Sequence, residues 1–149
     1  MTNYLSPVNQ FLQLCLRGRW DSKALEAARE MAAAGNLDWD TLRQIVSAET
    51  LEPLAYQIVR GKNLVPASVE QDWRRAYYHN ACRNTLLLRE LGEILHHLTE
   101  KGVEAIALKG AALAEIVYGD IAARPMSDLD LLIQPQDLSV TRQILAGLG

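Results

Sequence analysis

Apolar residues recur at three- and four-residue intervals through the first hundred positions, and then the rhythm changes. In "SPVNQFLQLCLRG", Val8, Phe11, Leu12, Cys15 and Leu16 keep the i, i+3, i+4, i+7, i+8 spacing that lays one stripe along a helix. Ser6 and Pro7 stand where an N-cap and a first helical residue belong, and Gly18 marks the stop. "DSKALEAAREMAAAGN" predicts a second helix from Asp21 to Gly35-Asn36, and "DWDTLRQIVSAE" a third with Asp38 or Asp40 as its cap. "PLAYQIVRG" is a short fourth, ending at Gly61. The longest pattern covers 66–101 and predicts one helix, with Ser68 as cap, Gln71 completing a capping box and Gly102 as the end. Gly92 is its weak point, worth roughly 1 kcal/mol relative to Ala, and any kink belongs there.

Beyond Gly102 the pattern shortens. "VEAIALKG" predicts a strand, "AALAEIVYG" a helix ending at Gly119, "DIAARPMS" a loop and "DLDLLIQ" a second strand. "PQDLSVTRQILAGLG" opens another helix, with Pro135 and Asp137 near its first turn. The chain thus divides into a helical region, 1–101, and a mixed region, 102–149, and its class is α/β, mostly helical.

Composition narrows the function classes. The 149 residues are 49% hydrophobic and 22% charged, the balance of a globular domain. A net charge of −3 and a pI of about 5.6 argue against general affinity for nucleic acid or an anionic membrane. No stretch is long and apolar enough to span a bilayer, and the N-terminus lacks a signal peptide's basic and apolar regions. Cys15 and Cys82, far apart and without metal-ligand spacing, read as reduced, packed thiols of a cytoplasmic protein. Trp20, Trp39 and Trp73, with Tyr56, Tyr77 and Tyr78, read as core or half-buried packing. Arg75, His79 and Arg83 share a helix face, with Arg74 and Arg89 nearby, and form either a wall facing a nucleotide or a solvated stripe. Asn80 and Asn84 beside them either lie at the surface or are buried and tie the long helix to the strand–helix turn at Lys109-Gly110. His96 and His97 are adjacent on a helix, do not face each other, and read as no metal site.

The candidate chemistry lies in "RPMSDLDLLIQP", where Asp128 and Asp130 stand at the mouth of an apolar run. Alternation along a strand puts both acids on one face and Leu129, Leu131 and Ile133 on the other. Two carboxylates at that spacing repel and favour a shared hard cation such as Mg²⁺, held together with water and substrate phosphates; the plain alternative is a pair of surface acids. In "ALKGAALAEIVYG" a strand runs into a helix at Lys109-Gly110. A glycine there permits a tight turn and close approach, and a helix N-terminus beside a lysine suits a phosphate; an ordinary turn with a solvated lysine is the alternative.

Together, "LKG…Y…R…SDLDLLI" over about 101–135, preceded by helices, resembles a bacterial family labelled uncharacterised nucleotidyltransferase in the polymerase-β nucleotidyltransferase superfamily. The resemblance implies a helical N-terminal region packed on a partial polymerase-β-type core. It implies an NTP substrate, Mg²⁺ or Mn²⁺ at Asp128 and Asp130, the two catalytic acids, and phosphate contacts from Lys109 and Gly110. The reaction would be metal-dependent nucleotidyl transfer to an unknown acceptor. Arg124, on the loop before the acids, is placed to neutralise phosphate or to pair with Asp128. Two departures stand out. Ala111 follows Gly110 where the superfamily often has a second Gly or a Ser. The superfamily's third acid, on a later strand, has no counterpart, since Asp120 and Asp137 lie on loops or helix starts. The expectation is a truncated chain, inactive alone, or a non-catalytic nucleotide-binding or regulatory module; an incidental Asp-x-Asp in a structural helical domain is the third reading. With two core strands an exposed edge remains, so a homo-oligomer, most simply a two-fold dimer, is expected.

Overall fold

The computed structural model describes residues 6–148. Among them the order is α1 (Pro7–Arg17), α2 (Ser22–Ala33), α3 (Trp39–Ala48), α4 (Glu52–Val59), α5 (Ala67–Glu100), β1 (Ala105–Leu108), α6 (Lys109–Ile116), β2 (Asp130–Ile133), a 3₁₀ turn (Pro135–Asp137) and α7 (Leu138–Leu148). The mostly helical α/β class read from the sequence is the observed one. The chain divides into two compact units, Met1–His79 and Asn80–Gly149, with α5 contributing residues to each.

Helix starts follow side-chain chemistry. Ser6 Oγ accepts from Asn9 N at 3.3 Å, and Asp21 Oδ1 accepts from Lys23 N at 3.0 Å. Of the two caps possible for α3, Asp38 is the one used: it accepts from Thr41 N at 3.0 Å and Asp40 N at 3.1 Å. Those bonds, the Thr41 N–H first, hold its carboxyl below the ordinary range. Ser68 does not cap α5. The helix begins one residue earlier, with Pro66 O accepting from Glu70 N at 3.0 Å. Ser68 falls inside the first turn, where its hydroxyl accepts from Arg43 Nη2 at 2.9 Å. The helix is unbroken through Gly92.

In the first unit the expected α1 stripe is the buried one, through Val8, Phe11 and Cys15. Phe11 meets Trp39 edge to face with centroids 5.6 Å apart, and Tyr56 meets Tyr77 at 5.0 Å. Leu42, Val46, Leu64, Val69 and Trp73 complete this core. Two packing expectations need correction. Trp20 is 79% exposed, because it follows the α1 stop in a turn, and the Arg19 guanidinium covers its ring at 5.1 Å. Cys82 is also exposed, since it lies on α5 between Asn80 and Asn84 but off the buried stripe they occupy.

The second unit packs β1, β2 and α7 on the C-terminal half of α5. Ile94, Leu98 and Val103 form its centre, with Ala105, Leu129, Leu131, Ile133, Val140 and Ile144 against them. Full burial of Leu98 alone contributes about 1.5–3 kcal/mol. The sheet has two antiparallel strands, with Ala105 opposite Ile133, Ile106 opposite Leu132, Ala107 opposite Leu131 and Leu108 opposite Asp130. Both strands are shorter than predicted, for one reason. The chain turns into α6 at Lys109, so nothing remains on β1 to pair with Leu129 or Asp128, and β2 starts only at Asp130. The predicted alternation nevertheless holds: Leu129, Leu131 and Ile133 face the core and Leu132 is exposed.

The two thiols differ physically. Burial pushes the Cys15 thiol up to about 12, with the charge of Lys62 pulling weakly the other way. In native protein at pH 8, iodoacetamide should modify Cys82 and leave Cys15 intact, and denaturation should equalise them; peptide mass spectrometry reads the result.

Candidate functional site

The antiparallel register brings together groups that are 21 residues apart in sequence. Because Leu108 faces Asp130 across the ladder, the next residue, Lys109, lies at the end of β2, and its Nζ reaches Asp130 Oδ1 at 3.2 Å. Lys109 is 69% exposed and Asp130 31%, so the pair lies at the surface, where such contacts contribute about 0–1 kcal/mol. A contact that weak leaves both groups free to exchange partners with a ligand. Asp128 precedes the strand and is exposed, and its Oδ1 accepts from Ser127 Oγ at 3.2 Å. The charges at the start of the apolar run are therefore met by an ammonium, a hydroxyl and solvent, not by burial in a core.

The tight turn between β1 and α6 lies on Lys109, not on Gly110. Leu108 is extended, with φ −114° and ψ 172°, and Lys109 is left-handed at φ +47°. For a non-glycine residue this is strained backbone, costing about 1–2 kcal/mol. Gly110 is needed for space. A Cβ there would meet Met126 Cγ at 2.8 Å and Sδ at 3.1 Å, and Met126 is buried. The glycine thus lets the loop before the acids lie against the start of α6. Met126 was not singled out from sequence; its signal was a long apolar residue, with Ile121 one of only two, in the otherwise small and polar "DIAARPMS" loop.

Arg124 makes no pair with Asp128. Its guanidinium lies over the Tyr118 ring at 5.6 Å, and its Nε is buried without a hydrogen-bond partner. The loop carrying it is bonded to α5. Asn80 Nδ2 donates to Ala122 O at 2.7 Å, and Asn84 Nδ2 donates to Arg124 O at 2.7 Å and to Ile121 O. Asn80 and Asn84 are buried, as one of the two sequence readings has it, but they bond the 121–124 loop and not the turn at Lys109-Gly110, because it is that loop whose carbonyls lie against α5. The basic stripe is solvated: Arg75 is 72% exposed and pairs with Asp72, and Arg89 pairs with Glu93. His96 and His97 both contact Glu100.

Among the described residues no group of three or more His, Cys, Asp or Glu side chains gathers as a metal cage. Two open clefts of this unit, of about 260 and 520 Å³, are lined by residues of α7 and its neighbours and do not include Lys109, Arg124, Asp128 or Asp130. The acids stand at the surface at the end of a sheet, beside Lys109 and the start of α6. The groups gathered here, two carboxylates and an ammonium at a helix start, are of the types that meet hard cations and anions.

The family assignment agrees with that chemistry. The family described as "Uncharacterised nucleotidyltransferase" matches residues 35–149, and the chain belongs to it. No curated protein and no solved structure matches the chain. Among the described residues no helix is long and apolar enough to cross a membrane.

Gly110→Ala tests the packing reason for the glycine. The variant should lose about 1–3 kcal/mol by overpacking, and adding Met126→Ala should restore part of that loss in a urea titration. A Gly110→Ala protein as stable as the wild type would show that Met126 yields freely.

Proposed function

We propose that this chain binds a nucleoside triphosphate together with Mg²⁺ or Mn²⁺ at Asp128 and Asp130, and that the site serves nucleotidyl transfer to an acceptor. The observation that carries the reading is the Lys109–Asp130 contact across the end of the sheet, with Asp128 exposed two residues away. The donor set fits a hard divalent ion: two carboxylates, both reachable from solvent, and no thiolate or imidazole beside them among the described residues. Two protein carboxylates leave most of the ion's coordination to water and phosphate, the usual arrangement for Mg²⁺ with a nucleotide. A bound ion would supply charge neutralisation at the phosphates and at the attacking and leaving oxygens.

The chain's own residues have distinct parts. Asp128 and Asp130 hold the ion. Lys109 moves from Asp130 to the phosphates once a cation satisfies that carboxylate, and Gly110 lets the start of α6 come close. Arg124, in no ion pair among the described residues and only four residues before Asp128, would bring its guanidinium to the phosphates. Replacing both Asp128 and Asp130 by Asn keeps their shape and removes their charge. Calorimetry with ATP and Mn²⁺ should show weak binding by the wild type and none by the double variant; equal binding by the two would overturn the site.

A second reading is favoured by the same donor set. Two carboxylates can hold an ion and phosphates, but in-line transfer also needs the attacking oxygen deprotonated. We therefore propose that this chain alone binds nucleotide weakly and transfers it slowly if at all, which is the behaviour of a binding or regulatory module with this fold. The free thiols suit a reducing, cytoplasmic setting.

We also propose a homodimer. Each four-residue strand keeps one edge unpaired among the described residues, and the outer face carries Ile106 at 61% and Leu132 at 53% exposure, directly opposite each other. Light scattering at high concentration should give twice the mass of the chain, and Leu132→Lys should lower it to that of one; a monomeric wild type would refute the dimer.

A further inference from the structure

The loop from Ile121 to Arg124 has no regular structure, and Ala122 and Ala123 within it are buried. Its backbone groups must find partners elsewhere, because a buried carbonyl without one is costly. Two of its N–H groups bond locally: Asp120 Oδ1 accepts from Ala122 N at 2.8 Å and Asp120 O accepts from Ala123 N at 3.1 Å. Three of its four carbonyls are met from α5. Ile121, Ala122 and Arg124 all present their oxygens to the amides of Asn80 and Asn84.

The residue types and their spacing suit this role. Positions i and i+4 lie one turn apart on the same helix face. A carboxamide carries two N–H donors, and Asn84 uses its Nδ2 on carbonyls three residues apart, which pins both ends of the loop at once. Asn80 fills the gap between them. Both asparagines occupy the buried stripe of α5, in line with Leu91, Ile94 and Leu98, where apolar residues would otherwise stand.

We propose that Asn80 and Asn84 are positioning residues of the nucleotide site. They hold the 121–124 loop against α5, and so fix where Arg124 begins and where the chain enters Met126, Asp128 and Asp130. Neither touches the ligand, and the function reading above is the one this inference rests on. Arg124 is the direct beneficiary, since its own carbonyl is tied to Asn84 while its guanidinium lies over Tyr118.

The test combines two readouts on the whole chain. Hydrogen–deuterium exchange of segment 118–130 is followed in the wild type, Asn80→Ala and Asn84→Ala. Calorimetry with Mn²⁺ and inorganic tripolyphosphate, a probe that needs no base pocket, is run on the same proteins and on Arg124→Gln with and without Asn84→Ala. The expected result is faster exchange in 118–130 with β1 unchanged. Affinity should fall by roughly tenfold or more, with the Arg124→Gln and Asn84→Ala losses failing to add. Unchanged exchange in 118–130 overturns the proposal. So does a loosened loop with full affinity, which would leave the asparagines a purely structural part. If the wild type itself binds no tripolyphosphate, the function reading fails, and the exchange data alone decide whether the asparagines hold the loop. If Asn84→Ala does not fold, Asn80→Ala, which removes a single bond, is read in its place and judged by the same outcomes.

Discussion

The register between β1 and β2 governs the second unit. Four residue pairs settle it, and each has a consequence. With Ala105 opposite Ile133 and Ala107 opposite Leu131, one face of the ladder meets Ile94, Leu98 and Val103. With Leu108 opposite Asp130, the residue after the ladder is a lysine within reach of that carboxylate. A slip of one position would turn Leu129, Leu131 and Ile133 to solvent and press Asp130 into the core. The hydrophobic pattern that selects this register also assembles the charged site.

The site is defined by edges. The acids stand where β2 begins, the lysine where β1 ends and α6 begins, and the arginine on the loop between. The Lys109–Asp130 pair lies at the surface, so parting it costs little. The rigid parts lie beneath them: the packed leucines and isoleucines of the sheet, Met126 lodged against Gly110, and two asparagine amides holding three loop carbonyls. Weakly paired functional groups on a firmly tied frame are what a site for a charged, exchanging substrate requires.

The backbone strain at Lys109 fits the same picture. A left-handed lysine is less favourable than a left-handed glycine, yet the glycine stands one place later, where space is the constraint. The turn therefore meets two demands with two residues. Lys109 bends the chain and carries the cation, and Gly110 admits the loop. Exchanging their order would ease the turn but press a lysine side chain at 110 into Met126.

The sequence by itself determined the helices, their starts at Ser6 and Asp21 and at one of Asp38 and Asp40, the alternation along 129–133 and the grouping of Lys109-Gly110 with Asp128 and Asp130 as the candidate site. These rest on local periods and local hydrogen bonds, which a chain displays directly. The basic stripe and the histidine pair likewise had their plain readings in the residue spacing. What only the tertiary structure decided were matters of long-range partnership. Strand lengths depended on where the opposite strand ran out, so Asp128 fell outside the ladder. Gly110's task depended on Met126, 16 residues away in sequence and visible only in contact. Whether Asn80 and Asn84 faced water or a loop 37 to 42 residues on could not be read from their helix, because an asparagine suits a solvated face as well as it suits a buried carbonyl that needs a donor. The burial of that carbonyl chooses between them, and burial belongs to the fold.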